Sequence, residues 1–386
     1  MRHVGVVSRG IRTPIIRQGD PLAELVVNSI EEASQAEGFS VCDHDIIAVT
    51  ESVVAKAQGN YASLDQLSKD VMCKFGEDAE IGVLFPILSR NRFSLILRGI
   101  ARGVKKVYLQ LSYPHDEVGN PVVDPQEVFS KGVNLTTKVF DEGEFRDTFG
   151  YEKTIHPFTG VDIIEYYKSI SPNIEIIFAN DPKEILQFTD KVLIASIHTR
   201  DREKKAIQDA GAEVVYTLAD VLSKSVDGGG YNADYGVLGS NASTEEILKL
   251  FPRDGRTFVD SVQQKMLERF GKHVEVMIFG DGAFKDPVAG IWELADPVVS
   301  PAYTAGLEGT PNEYKLKYLV DDSGMSDEEI HKKLTDRNID QAATLGTTPR
   351  RIPDLVGSLA DLTSGSGDKG TPVVYIQGYF DNYTND

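Results

Sequence analysis

Apolar positions along the chain recur with two periods, and the first stretch alternates between them. The β-branched run Val4 to Val7 predicts a strand, and Gly19-Asp20-Pro21 predicts a helix start with Asp20 as N-cap and Pro21 at the first helical position. Leu22 to Ala36 then carries apolar residues at helical spacing. Asp45-Ile-Ile-Ala-Val-Thr50 predicts a buried strand that ends in the polar pair Glu51-Ser52, with Lys56 following.

From Pro86 to Ser225 the rhythm is that of strands separated by helices. Phe93 to Arg102 predicts a helix stopped by Gly103, and Lys105 to Leu111 a strand. Ile174 to Phe178, Val192 to Ile197 and Glu213 to Tyr216 are strand-like, with helical patterns after Pro182 and from Arg200 to Ala210. Thr199 is placed to cap the second of those helices and Gly211 to end it. Such alternation implies parallel β-α-β units and a doubly wound segment, interrupted by a long irregular excursion from Asp116 to Gly160. Its strand-end loops are Ser112 to His115, Asn180-Asp181 and Ser196 to Arg200, which would bring His115, His198 and Arg200 to one edge.

Past Val226-Asp-Gly-Gly-Gly230 the pattern changes. Ser243 to Leu250 predicts a capped helix, Phe258 to Phe270 a longer one ended by Gly271, and Val274 to Phe279 a strand running into Gly280-Asp281-Gly282. Ser326 to Arg337 predicts a helix with Ser326 as N-cap and Glu329 at the capping-box position. Ile352 to Ala360 reads as a helix, Ser364 to Gly370 as a glycine loop and Pro372 to Gln377 as a strand.

Composition narrows the functional classes. A chain of 386 residues suggests two or three domains at roughly 150 residues each. The formal charge of −19 excludes a phosphate-backbone partner without a basic stripe and disfavours an anionic membrane surface. An anionic nucleotide would need a local basic pocket or a divalent cation. Cys42 and Cys73 are the 2 cysteines, too few for a disulfide framework and read as buried small hydrophobes. No stretch approaches the ~18 apolar residues of a membrane span, so the expected compartment is the cytoplasm.

The usual signatures are mostly missing. There is no G-x-x-x-x-G-K-[ST], H-E-x-x-H or G-x-S-x-G. Gly228-x-Gly230-x-x-Ala233 matches a dinucleotide fingerprint in letters, but a helix over Leu218 to Ser223 precedes it where a strand is required. Asp281, in a glycine turn after an apolar strand, is placed to hold a divalent cation, with Asp286, Glu293 and Asp296 following; the same turn also reads as purely structural. The Ser364 to Gly370 loop could cradle phosphates with its N–H groups or merely connect two elements.

Taken in order, these segments resemble the coenzyme F-420:L-glutamate ligase (gamma-glutamyl ligase) family. Thr13-Pro-Ile-Ile-Arg-Gln-Gly-Asp20 looks like the family's opening, and Ile46 to Gly59 is similar to its second motif. Tyr235-Gly-Val-Leu-Gly-Ser-Asn241 matches A-G-[IV]-D-x-S-N with Leu238 at the metal aspartate, Val276 to Asp281 matches the strand carrying the second one, and Ala360 to Gly378 aligns with the closing motif. In that last block Ser366 stands at a metal-ligand position and Gln377 at an arginine. The likeness covers three blocks near residues 4 to 60, 228 to 300 and 350 to 380.

The resemblance implies a mixed α/β (α+β) fold: a ligase-like nucleotide-binding core of residues 1–85 and 226–386, carrying 86–225 as an inserted doubly wound segment. It implies GTP or ATP contacts by Thr13, Pro14, Ile15, Ile16, Glu51, Ser52, Lys56, Asn241, Ser364, Gly365, Ser366 and Gly367. Magnesium or manganese would be held by Asp281, with Asp234 (or Asp368) replacing the lost ligands, and Asp281 and Lys56 would be the catalytic pair. The implied reaction joins L-glutamate to a small acidic acceptor through an acyl phosphate, in a homodimer. The competing expectation is a non-catalytic nucleotide- or metabolite-binding protein on the same fold.

Overall fold

A computed structural model of the chain describes residues 4–89, 92–155, 160–280, 283–285, 292–294, 300–311, 324–335, 351–365 and 369–381. Its contacts group the chain into two compact units, residues 1–57, 254–282 and 298–386 in the first and 58–253 with 283–297 in the second. The mixed α/β class is as expected.

The first unit is built on a five-stranded sheet in the order Val7–Ile11, Val373–Gln377, Ile46–Thr50, Glu275–Phe279, Ala302–Tyr303. Ile46–Thr50 and Glu275–Phe279 run parallel, and the other neighbours are antiparallel. The three inner strands are mostly apolar because both faces are covered, whereas the edge strand Val7–Ile11 carries Ser8, Arg9 and Gly10. Ile47, Val49, Val276, Ile278, Val373 and Tyr375 pack with Val26, Val27, Ile30, Val259, Val262 and Met266 of the helices Leu22–Glu37 and Gly255–Phe270. The alternate residues Ile46, Ala48, Met277, Phe279, Val374 and Ile376 pack with Val356 and Ala360 of the helix Ile352–Ser364. Period-two side chains on a strand buried on both faces give this split directly.

The first strand lies at Val7–Ile11 rather than Val4 to Val7, because pairing with Val373–Gln377 fixes it there. A helix does run from Leu22, but Pro21 is its N-cap and Asp20 does not cap it; the Asp20 carboxylate accepts instead from Arg17 N–H at 2.7 Å, back in the preceding loop. The Gly255–Phe270 helix starts three residues before Phe258 and keeps its left-handed Gly271 stop, and the Ser326–Glu329 capping box follows expectation. The last helix runs on to Ser364, so the glycine loop starts one residue later than its composition suggests.

The second unit carries a six-stranded sheet in the order Phe140–Asp141, Ile174–Phe178, Lys106–Leu111, Glu80–Leu84, Lys191–Ile194, Val214–Thr217. All but the short antiparallel Phe140–Asp141 edge are parallel, as expected. The sheet's first strand, Glu80–Leu84, begins a few residues before position 86 and sits in its interior. Ordered by sequence the five parallel strands run 3-2-1-4-5, a doubly wound arrangement with helices on both faces. Leu64–Phe75, Phe93–Arg102 and Ile163–Ile170 contribute Leu67, Val71, Leu97, Ile100, Ile164 and Tyr167 to the larger core on one face. Ile185 and Ile207 pack on the other.

Several readings need correction here. Ser243 to Leu250 is not a helix but a hairpin, Asn241–Thr244 with Ile247–Lys249, whose second strand pairs with Tyr61–Ser63 and buries Leu248. Tertiary pairing overrides the helical propensity of Glu-Glu-Ile-Leu-Lys. Leu218 to Ser223 shortens to the 3-10 turn Leu218–Asp220, held by a Thr217–Asp220 capping box. The excursion after Asp116 is not irregular throughout, since it contains the helices Pro125–Ser130 and Glu142–Phe149. Thr199 does not cap its helix; its hydroxyl bonds Glu117 instead. Cys42 and Cys73 are exposed, because Cys73 lies off the Leu67, Val71 and Phe75 stripe of its helix and Cys42 sits in a loop.

Candidate active site

Strand direction gathers the motif segments of the first unit at one edge of its sheet. Ile11, at the end of the first strand, pairs with Val373 at the start of the last, and Val373 in turn pairs with Val49. Thr50 pairs with Phe279. The loop after Ile11, the helix after Thr50, the chain beyond Phe279 and the segment leading into Val373 therefore all meet the sheet at the same edge. In an α/β sheet this is where loops are free to bind ligands.

Backbone hydrogen bonds tie these segments together. Thr13 N–H donates to the Gly370 carbonyl at 3.3 Å and Thr50 N–H to the Pro372 carbonyl at 2.9 Å. Thr371 Oγ1 donates to the Ser364 carbonyl at 2.8 Å. Gly19 N–H donates to the Ala57 carbonyl at 2.8 Å, fixing the loop to the end of the helix Glu51–Gln58. Gly19 makes that turn at φ 87°, a left-handed conformation that favours glycine.

Within this cradle Ile16 is buried in the core and anchors the loop, whereas Pro14 is exposed and Ile15 is 73% exposed. Among the described residues nothing accepts from the N–H groups of Ile15 and Ile16. Thr13 Oγ1 donates to the Pro14 carbonyl at 3.1 Å. Glu51 is buried at the first position of its helix, and Ser52 and Lys56 lie one turn apart on the same helix, Lys56 exposed. Lys56 has no ion-pair partner among the described residues.

The glycine loop brings a residue that sequence reasoning did not single out. Gly365 ends its helix at φ 65°, and a Cβ there would stand 2.5 Å from Lys369 Nζ and 2.7 Å from its Cδ. The Lys369 side chain therefore lies across Gly365, which adds a second ammonium to the segment. Its signal was present in Gly367-Asp-Lys-Gly370, but a lysine among glycines carries no distinctive pattern by itself. Ser364 turns its own hydroxyl back to the Asp361 carbonyl at 3.0 Å. Asp281, Ser366 and Gly367 lie outside the described residues, as do Asp286, Asp296 and Asp368.

Gln377 is at the opposite end of its strand. Its amide donates to Ser40 O at 2.9 Å and Asp45 Oδ2 at 3.1 Å and accepts from Arg9 at 2.7 Å. Tyr375 also donates to Asp45, and burial, followed by that hydrogen bond to the carboxylate, holds its phenol protonated well above the usual range. This buried cluster pins the 40–45 loop to the last strand, which is a structural task.

Asp234 and Asn241 belong to the second unit. Asp234 is exposed in a turn where Asn232 Oδ1 accepts its N–H at 3.0 Å and that of Tyr235 at 2.9 Å. Asn241 opens the hairpin, and its Oδ1 accepts from Ala242 N–H at 3.1 Å. Leu238 is 2% exposed in the unit's main core. Among the described residues no group of three or more His, Cys, Asp or Glu side chains is arranged to hold a metal ion.

The strand-end loops of the second unit are cross-linked to one another. Asn180 bonds Tyr113 N at 3.0 Å through Oδ1, and its amide donates to the Tyr113 carbonyl at 2.8 Å. Glu117 accepts from the N–H groups of Ile197 and His198, the latter at 3.0 Å. The His115 ring bonds the Asp116 carbonyl at 2.9 Å, and Arg200 donates to the Ile197 carbonyl.

A family model described as F420-0:gamma-glutamyl ligase matches residues 10–378, a span that takes in every segment above. The chain belongs to that family. No curated protein matches it. The match runs across the doubly wound sheet as well as the first unit, so membership extends beyond the three blocks legible by eye. The family is one of ligases, and gamma-glutamyl transfer to an acceptor is the chemistry it points to. Among the described residues no helix is long and apolar enough to cross a membrane.

Proposed function

We propose that this member is a nucleotide-dependent gamma-glutamyl ligase that uses GTP or ATP with magnesium or manganese to join L-glutamate to a small acidic acceptor. The observation that carries the reading is the shared sheet edge of the first unit, where the Thr13 to Ile16 backbone, the helix carrying Glu51, Ser52 and Lys56, and the Ser364–Gly365 loop all emerge. Two backbone donors at Ile15 and Ile16 suit phosphate oxygens, and Lys56 and Lys369 supply positive charge in a chain of net charge −19.

In this reading the acceptor carboxylate attacks the terminal phosphorus, the nucleoside diphosphate leaves, and an acyl phosphate results. The glutamate amine then attacks the acyl carbon, expelling phosphate and losing a proton. Both steps demand positioning and charge neutralisation more than covalent help from the protein, which is what backbone donors and ammonium groups offer. Asp281 is the proposed cation ligand and, with Lys56, the catalytic pair; Asp234 is its proposed helper, and Asn241, Ser366 and Gly367 are proposed nucleotide contacts. The described residues do not by themselves compose a metal site, so no step is assigned to the cation. A cytoplasmic homodimer, and the division into a 1–85 and 226–386 core around 86–225, complete the proposal.

One observation favours a second reading, a binding protein without turnover. Leu238, at the position of the family's metal aspartate, is buried among apolar neighbours and could not be exchanged for a ligand without rebuilding its surroundings. Turnover separates the two readings. Triphosphate consumption that requires both L-glutamate and an acidic acceptor supports the ligase; tight nucleotide binding without such consumption supports the binding protein; and no nucleotide binding contradicts both. Asp281→Ala is expected to abolish cation-dependent nucleotide binding, and unchanged magnesium dependence in that variant would remove Asp281 from the site.

A further inference from the structure

The chain carries 59 Asp and Glu against 40 Lys and Arg, so carboxylate partners for its cations are plentiful. The first unit uses them almost everywhere. Arg256 pairs with Asp260, Lys265 and Arg269 with Glu24, Lys272 with Asp43 and Arg351 with Asp354. Arg9 is held by Gln377, and Lys332 is engaged as well. Among the side chains described in this unit, the cations left without an ion-pair or hydrogen-bond partner are Arg12, Arg17, Lys56 and Lys369.

All of them belong to the motif-bearing edge of the five-stranded sheet. Two backbone hydrogen bonds set them in pairs. Thr13 N–H donates to the Gly370 carbonyl at 3.3 Å, which brings the residue after Arg12 against the residue after Lys369. Gly19 N–H donates to the Ala57 carbonyl at 2.8 Å, which brings the chain just past Arg17 against the residue after Lys56. The loop 12–19 is thus bracketed by one arginine and one lysine at each end. Ile16, buried in the core between the brackets, fixes the loop at a third point.

Neither guanidinium is used by the fold. Both arginines are exposed, and the nearest carboxylate in sequence, that of Asp20, accepts from the Arg17 backbone N–H at 2.7 Å and forms no ion pair with its side chain. Solubility does not call for them either, since a net charge of −19 already keeps the chain far from neutrality. Partnerless cations gathered on an anchored loop suit an anionic ligand.

Ligase chemistry, the reading on which this inference rests, requires such groups. In it the glutamate nitrogen attacks the acyl carbon, so both glutamate carboxylates are spectators that must be held while the amine is aimed. The lysines are compact charges that suit phosphate oxygens, whereas a guanidinium fork also matches a carboxylate through two parallel hydrogen bonds. We propose that Arg12 and Arg17 bind the two carboxylates of L-glutamate, one each, and so position its amine.

The test uses the full chain with magnesium and the imido analogue of GTP or ATP, whichever binds, and measures nucleotide and amino-acid affinity separately by calorimetry. The amino-acid probes are L-glutamate, L-glutamine and L-isoglutamine, the last two being its side-chain and α-carboxyl amides. Arg12→Gln and Arg17→Gln remove exposed, partnerless charges, so the Tm should not change. Each is expected to weaken L-glutamate about tenfold while leaving nucleotide affinity within about twofold. The parent should bind both amides about tenfold more weakly than L-glutamate, and each variant should lose its discrimination against one amide, a different one in each. A structural role or long-range charge would not produce that crossed pattern. Weakened nucleotide with unchanged L-glutamate would make the arginines phosphate contacts, and loss of neither ligand, or equal losses for all three amino-acid probes, would make them surface residues; each result overturns the inference and leaves the ligase reading standing. A parent that binds nucleotide but no L-glutamate overturns the inference and favours the binding protein, and one that binds neither removes the ligase reading with it.

Discussion

The two sheets end in contrasting chemistry. At the motif-bearing edge of the first unit's sheet the loops offer backbone N–H groups and exposed ammonium side chains, and their own hydrogen bonds tie one motif segment to the next. At the carboxyl edge of the second unit's parallel sheet the loops are stitched by Asp116, Glu117 and Asn180, and what they enclose is an apolar slot. The same topological rule positions both edges, but one delivers backbone donors and ammonium groups and the other mostly apolar side chains. Leu238 illustrates the divide: where the family's motif has a carboxylate, this chain has a core leucine that also walls the slot.

Reversing that residue gives the largest expected effect. Leu238→Asp buries an uncompensated carboxylate and is expected to cost about 3–5 kcal/mol of stability, read by chemical denaturation. If the variant instead kept its stability and gained cation-dependent nucleotide binding, the contrast between an apolar and an ionic edge would be wrong.

The second unit's charged interior gives the next effect. Arg146 is buried and bonds Asp162 at 2.6 Å, Thr154 at 2.7 Å and Glu165 at 3.0 Å. Burial raises the pKa of the Asp162 carboxyl, but the Arg146 and Thr154 hydrogen bonds outweigh it and hold the carboxyl below its ordinary value. A carboxylate with a depressed folded pKa contributes stability that is fully present above its unfolded value of about 3.9 and is lost as pH falls through the lower folded value. Asp162→Asn should therefore cost about 1.5–3 kcal/mol at pH 7, with the difference from the parent shrinking below about pH 4. A pH-independent difference would show that the ion pair is not the source.

The smallest of these effects concerns ligand binding at the first edge. Lys56→Ala is expected to weaken triphosphate binding about tenfold, about 1.4 kcal/mol, and nucleoside binding hardly at all. Lys369→Ala should behave in the same way if its ammonium also faces phosphate. Equal losses for nucleoside and triphosphate would make both lysines surface residues and blur the contrast.

What the sequence disclosed follows the same division. The buried strands were legible because runs such as Ile-Ile-Ala-Val and Val-Val-Tyr-Ile have no other stable home, and the helix Phe93–Arg102 was bounded correctly by its apolar stripe and Gly103. The parallel sheet was legible from alternation alone. The Asn241–Lys249 hairpin was not, since its pairing partner Tyr61–Ser63 lies far away in sequence. The cradle's residues could be named from motifs, but not their convergence, which depends on the antiparallel return of Val373–Gln377 between two earlier strands. The placement of Lys369 across Gly365 and the unpaired Ser240 hydroxyl could not be read from sequence, because each depends on where a side chain lies relative to neighbours that no spacing encodes.

Amide hydrogen exchange on the full chain, with and without GTP and magnesium, tests the central claim most directly. The account predicts new protection in residues 12–20, 51–58 and 364–371, with the slot-lining segments 87–89 and 195–197 unchanged; protection confined to those slot segments, with none in the first unit, would contradict it.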